Sequence, residues 1–177
     1  IGYDQGTVVL KIGHEKPVVS MDSNGKTIWT VNNEIYTAPI RNNAKDLSDG
    51  DIVPVSGKSM GSCEVFPQSL SHNAKGNFFA VCGNGEYIIY TTIRLRNKAY
   101  GSALDFVWNA TGSGDYAIRE SSSRIRTFRN FEEAESFKPP FSAEGLFGGR
   151  ILGVRSNDFV VFYDWEKCNL IRRIDVC

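Results

Sequence analysis

No stretch of this sequence stays apolar for the ~18–20 residues that a bilayer-spanning helix needs. The opening IGYDQGTVVLKIGHEKP lacks the charged-then-apolar layout of a secretion signal. Charge of neither sign is in excess, since twenty Lys and Arg face twenty Asp and Glu. That balance excludes the strongly basic surface of a dedicated nucleic-acid binder, although a local basic patch remains compatible with it. Histidine is scarce, with His14 and His72 alone, and Cys63, Cys82, Cys168 and Cys177 are far apart with no C-x-x-C pair. A structural zinc site wants four Cys or His ligands at paired short spacings, so neither a metal nor another cofactor is expected. Small disulfide scaffolds use cysteine far more densely, and four reduced thiols is the plainer reading. The chain has no initiator Met and opens on what reads as mid-domain sequence, so a piece of a longer protein is expected.

What is present is 177 residues, 41% hydrophobic and 23% charged, the make-up of a folded domain with a real core. Helical periodicity is hard to find. Short apolar or alternating runs broken by Gly, Asn, Asp or Ser read as strands. One unit, strand, tight polar turn, strand, recurs as IGYDQGTVVLKI, KTIWTVNNEIYTAPI, NFFAVCGNGEYIIYTT, DYAIRESSSRIRTFRN and RILGVRSNDFVVFYDW. The last four begin at Lys26, Asn77, Asp115 and Arg150. The longest gap is filled by a polar insertion around 42–58. A repeat of about 40 residues with several strands marks a β-propeller, whose blades bury their faces by stacking. The fold expected is all-β, a partial WD40-like propeller of about four blades of four-stranded antiparallel sheet.

One blade is assigned strand by strand: Ala103–Trp108 inside, then Tyr116–Arg119, Arg124–Phe128, and a short outer edge at Ser136–Lys138 stopped by Pro139 and Pro140. In the last repeat LIRRIDV follows FVVFYDW as the outer strand, with Arg172 and Arg173 on opposite faces.

The candidate sites are few. Gly83-Asn84-Gly85 is followed by a strand, not by the Gly-Lys-Ser/Thr and helix of a phosphate loop, and reads as a primed hairpin turn. Cys82 has no thiolate-stabilising partner nearby in sequence and reads as a buried structural thiol. Glu132, Glu133 and Glu135 read as a solvated turn and edge strand. Asn109-Ala110-Thr111 fits a glycosylation sequon of a kind that arises often by chance. Trp29, Trp108 and Trp165 end strand runs and read as blade core. Arg124 and Arg126 share one face of a strand, and Arg119 lies on the other side of the turn. They form a candidate contact for a protein or an anion, weighed against the more ordinary reading of a solvated face paired with Glu120 and other acids. No catalytic constellation emerges, so no enzyme is expected.

The strings GYDQGTVVLKIGHEKPVVSMDSNGKTIW, MGSCEVFPQSLSHNAKGNFFAVCGNGEYIIYTTIRLRNKAYGSA, YAIRESSS and FYDWEKCNLIRRIDV together resemble the coatomer beta-prime family, over essentially the whole chain. The resemblance implies that residues 1–13 are the closing hairpin of a preceding propeller and 14–177 the first blades of a second, incomplete one. It implies a structural subunit of the COPI vesicle coat in Golgi-to-ER retrograde and intra-Golgi transport. Such a subunit is cytoplasmic and peripheral, on the cytosolic face of Golgi membranes and COPI-coated vesicles. Its partners are other coatomer subunits, especially alpha. Dilysine cargo is recognised by the first propeller of that family, which lies upstream of Ile1, so no cargo residue is assigned. The segment is expected to act as a rigid protein-interaction platform. The alternative is a propeller that binds an anionic ligand or an acidic or modified peptide through Arg119, Arg124 and Arg126.

Overall fold

The computed structural model describes residues 2–4, 6–7, 9, 18–40 and 48–175. His14, Cys177 and positions 42–47 of the expected insertion lie outside the described residues. Every described element is a strand, and sixteen of them form four four-stranded sheets. A short hairpin of β1 (Gly2–Tyr3) and β2 (Gly6–Thr7) forms a separate sheet.

The first blade comprises β3 (Val19–Met21), β4 (Lys26–Val31), β5 (Glu34–Pro39) and β6 (Lys58–Ser62). The second comprises β7 (Ser69–His72), β8 (Phe78–Gly83), β9 (Glu86–Thr91) and β10 (Asn97–Ser102). The third comprises β11 (Asp105–Trp108), β12 (Tyr116–Ser121), β13 (Arg124–Arg129) and β14 (Glu132–Phe137). The fourth comprises β15 (Gly145–Phe147), β16 (Leu152–Arg155), β17 (Phe159–Tyr163) and β18 (Leu170–Asp175). Within each blade the strands pair antiparallel in chain order. The first strands of successive blades, β3, β7, β11 and β15, neighbour one another on the inside, while β14 and β18 are exposed almost throughout. This is the four-blade, WD40-like arrangement expected from the repeat.

The two-residue period of a strand decides how the blades stack. Along β8, Phe79 and Val81 join the core shared with Ile28 and Ile35 of the first blade. The alternate residues, Ala80 and Cys82, join the core shared with Phe106, Trp108 and Tyr116 of the third. Ile88 and Tyr90 face one way along β9, Tyr87 and Ile89 the other. Ala117 and Ile125 meet Leu152, Val154 and Val161 of the fourth blade. Both faces of the middle strands are therefore buried, which is why they read as continuous apolar runs.

Turn chemistry sets the register. Gly83 pairs with Glu86 across the two-residue loop Asn84-Gly85, whose φ values of 53° and 82° suit a primed hairpin turn. The turn is thus one residue shorter than the Gly-Asn-Gly triplet suggested. Gly83 ends the strand, and a Cβ there would collide with the Phe66 carbonyl oxygen and lie 2.9 Å from the Gln68 amide nitrogen.

Two boundaries differ from expectation. The outer strand of the third blade runs over Glu132–Phe137, not from Ser136, because Asn130 and Phe131 both take positive φ and turn the chain at once. Its acidic residues, all exposed, give no apolar signal. The inner strand begins at Asp105, since the Ala103 amide instead bonds the Gly85 carbonyl at 2.8 Å. Of the tryptophans, Trp108 is 7% exposed, whereas Trp29 and Trp165 are half-buried.

Ile89→Ala is expected to cost about 2–5 kcal/mol through the cavity it leaves between blades, while Ile93→Ala, on an exposed turn, should stay within about 0.5 kcal/mol. Gly83→Ala should cost about 1–3 kcal/mol by overpacking against main chain that cannot yield easily. Denaturant unfolding of the three variants checks this order.

Candidate functional site

The thiols are structural in their surroundings. Cys82 is buried at the second interface, and burial, reinforced by the Asp105 carboxylate, pushes its pKa up to about 11. Burial also raises Cys63, whose Sγ lies 2.9 Å from the Val65 carbonyl, and Cys168. A thiol held protonated is a poor nucleophile. Among the described residues no group of His, Cys, Asp and Glu could hold a metal ion. Asn109 is 4% exposed, and its side-chain carbonyl accepts from the Thr111 amide at 2.9 Å and hydroxyl at 2.8 Å. The sequon is therefore folded inward.

The three arginines lie around the β12–β13 turn and each meets a carboxylate, but Arg119 pairs with Ile125 across the ladder and so faces away from Arg126, which pairs with Ile118. Arg119 Nε donates to Asp105 at 3.1 Å and its Nη1 to the Ala143 carbonyl at 3.2 Å, which ties the third blade to the segment entering the fourth. Arg124 Nε lies 3.2 Å from Glu120. Arg126 pairs with Glu133 through both oxygens and with Glu120 at 3.5 Å. The mutual hydrogen bond raises the Arg126 pKa and lowers that of Glu133. The trio carries three cations and three matching acids.

A cleft of about 600 Å³ lies between the third and fourth blades, at the opposite end of the strands. Its floor includes Asn109, Thr127 and Trp165, whose indole N–H donates to the Gly149 carbonyl at 3.0 Å. Arg129, Arg150 and Lys167 stand at its rim, all exposed. Asp164 in the same cleft is turned inward, accepting from the amides of Glu166, Lys167 and Asn169 at 2.7–2.9 Å. Those N–H donors, Lys167 first, hold its carboxyl below the usual range. Sequence reasoning missed this cluster. Its signal is positional: its charged members fall on or at the edge of turns joining first to second or third to fourth strands, and become visible once strands are numbered within blades.

At the inner strands, His72 Nδ1 lies 2.8 Å from Ser20 Oγ, which also accepts the His72 amide at 3.0 Å, linking the first two blades. His72 Nε2 is buried and has no hydrogen-bond partner among the described residues. Burial lowers the His72 pKa, opposed by Asp22 and assisted by Lys26. A depressed histidine pKa adds stability above its unfolded value of about 6.5 that is lost as pH falls through the folded value. Melting temperature is therefore expected to drop on acidification below about pH 6.5, and less so in His72→Gln, as thermal unfolding across that range would record.

Comparison with known proteins follows this geometry. A family model described as the COPA/B second beta-propeller matches residues 32–177. Coatomer subunit beta'-2 of Oryza sativa subsp. japonica is 52% identical over 99% of this chain and 20% of its own length. Coatomer subunit beta'-1 of Arabidopsis thaliana is 51% identical and coatomer subunit beta' of Rattus norvegicus 50%, each over 99% of this chain and 19% of its own. The chain thus spans about a fifth of the length of the curated relatives it matches. Among solved structures, a chain of the mitotic checkpoint complex superposes with a TM-score of 0.63 at 12% identity, covering 89% of this chain and 48% of that one. Apo AztD from Citrobacter koseri gives 0.64 at 9%, covering 90% and 47%. Those two likenesses speak for the propeller architecture alone. With four stacked blades in place and half its residues shared with coatomer beta' subunits, the chain belongs to the family of COPA/B second β-propellers.

Proposed function

We propose that this segment is a rigid, non-catalytic interaction platform within a coatomer beta'-type subunit of the COPI coat. The observation that carries the reading is the 50–52% identity to coatomer beta' subunits over 99% of the chain. Residues 1–13 then close a preceding propeller and 14–177 supply the first blades of a second. The first blade leaves Val19, Met21 and Val31 exposed and the fourth leaves Phe147 and Ile174, apolar sheet faces suited to stacking against further blades.

The platform serves a peripheral coat on the cytosolic face of Golgi membranes, in Golgi-to-ER and intra-Golgi transport. Other coatomer subunits, alpha above all, are its partners. Dilysine cargo is left to the preceding propeller. Rigidity is the physical contribution: three continuous interblade cores give the stack few ways to bend.

Excision of this propeller from the full-length subunit, with the preceding propeller and the following sequence retained, is expected to lower coat assembly and retrieval of dilysine cargo in cells. Normal assembly and retrieval by the excised subunit would refute the platform role.

A further inference from the structure

The formal charge of the whole chain is zero, yet the two ends of the blade stack differ. Turns joining first to second and third to fourth strands lie together at one end. The Asn73 side chain donates to the Ser113 carbonyl at 2.7 Å, the Ala110 amide to Gly149 at 3.0 Å, and Lys26 Nζ to Thr92 at 2.6 Å. In the second to fourth blades this end carries Lys75, Arg94, Arg96, Arg129, Arg150 and Lys167, all exposed. Every ion pair among the described residues involves Arg119, Arg124, Arg126 or Arg173 instead.

Among the described residues the acids at this end form no ion pair with those cations. Asp22 accepts the Asn24 and Lys26 amides, each at 2.8 Å, and Asp115 the Asn130 amide at 2.9 Å. With Asp164 they brace turns and point inward, while the cations point to solvent. Glu132 and Glu166 are the exposed acids nearby.

The turn of the second blade adds an apolar tip. Leu95, at φ 50°, plugs into the core between the first two blades, and the Thr91 amide bonds the Arg96 carbonyl at 3.0 Å. Two residues before that anchored leucine, and next to Arg94, Ile93 projects 81% exposed. A large apolar side chain held outward by a closed turn, with two arginines following it in the same turn, can enter the interface of a bilayer while those arginines meet headgroups.

We propose that this end is a docking surface for an anionic lipid bilayer, with Ile93 inserted and Arg94 and Arg96 bound to headgroups. The cations spread over three blades, as a planar array of anions requires, rather than converging on one groove. The proposal does not rest on the coat role, and its test contains no coat.

The full-length chain carrying this segment is sedimented with phosphatidylcholine vesicles with and without phosphatidylserine. Arg94→Gln with Arg96→Gln should weaken binding to the phosphatidylserine vesicles about twenty-five-fold, at roughly five-fold per lost charge. The paired control Arg124→Gln with Arg126→Gln should leave it unchanged. Separately, Ile93→Trp should show emission shifted to the blue with phosphatidylserine vesicles alone. Undiminished vesicle binding by the first variant overturns the proposal. So does an unshifted Ile93→Trp, or a defect that shows only against polyglutamate, which would assign the surface to an acidic protein.

Discussion

The contact on which the rest of the stack depends is the aromatic seam between the second and third blades. Tyr116 lies stacked on Phe128 with ring centroids 4.5 Å apart, on Phe106 at 4.9 Å, and edge-on to Tyr87 at 5.8 Å. Each of the two tyrosines would bury a hydroxyl at a cost were it alone. They bond to each other at 3.1 Å, and burial raises both their pKa values so that they stay neutral there. Trp108 closes the seam by donating its indole N–H to the Ser71 carbonyl of the neighbouring blade at 2.9 Å. Dispersion and shape hold the seam, while these two hydrogen bonds fix its register.

From that seam the stack grows in both directions by one rule. A middle strand must offer one row of side chains to each neighbour, and both rows must be apolar. β8 and β9 obey it residue by residue. Outer strands face no neighbour, so β14 and β18 are free to be polar, and Arg173 lies over the Phe159 ring at 3.7 Å without being buried. The architecture therefore pushes sequence variety to the outer strands and the turns, the places where partner contacts can be built.

What the sequence revealed follows the same division. The hairpins at KTIWTV, NFFAVC, YAIRES and RILGVR were legible because two-sided burial writes a continuous apolar run bounded by turn residues. EEAESF was not, since an exposed strand needs no apolar face, and two consecutive positive-φ residues, Asn130 and Phe131, leave no glycine as a marker. Gly83 was read as part of a turn when its lack of a side chain serves a close approach of main chain instead. That distinction depends on where Phe66 lies, which no local pattern contains.

Charge was the least legible layer, and the reason is geometric. Arg124 and Arg126 drew attention because they are adjacent on one strand, yet adjacency across a hairpin also brings Glu120 and Glu133 to meet them. Arg94, Arg129, Arg150 and Lys167 are scattered through the sequence and gather only when blades stack in register. Their acidic neighbours form no ion pair with them because those carboxylates cap turn amides instead. Asp22, Asp115 and Asp164 perform that capping. The same aspartates that make the turns rigid thus leave the cations at one end of a formally neutral chain without ion-pair partners among the described residues.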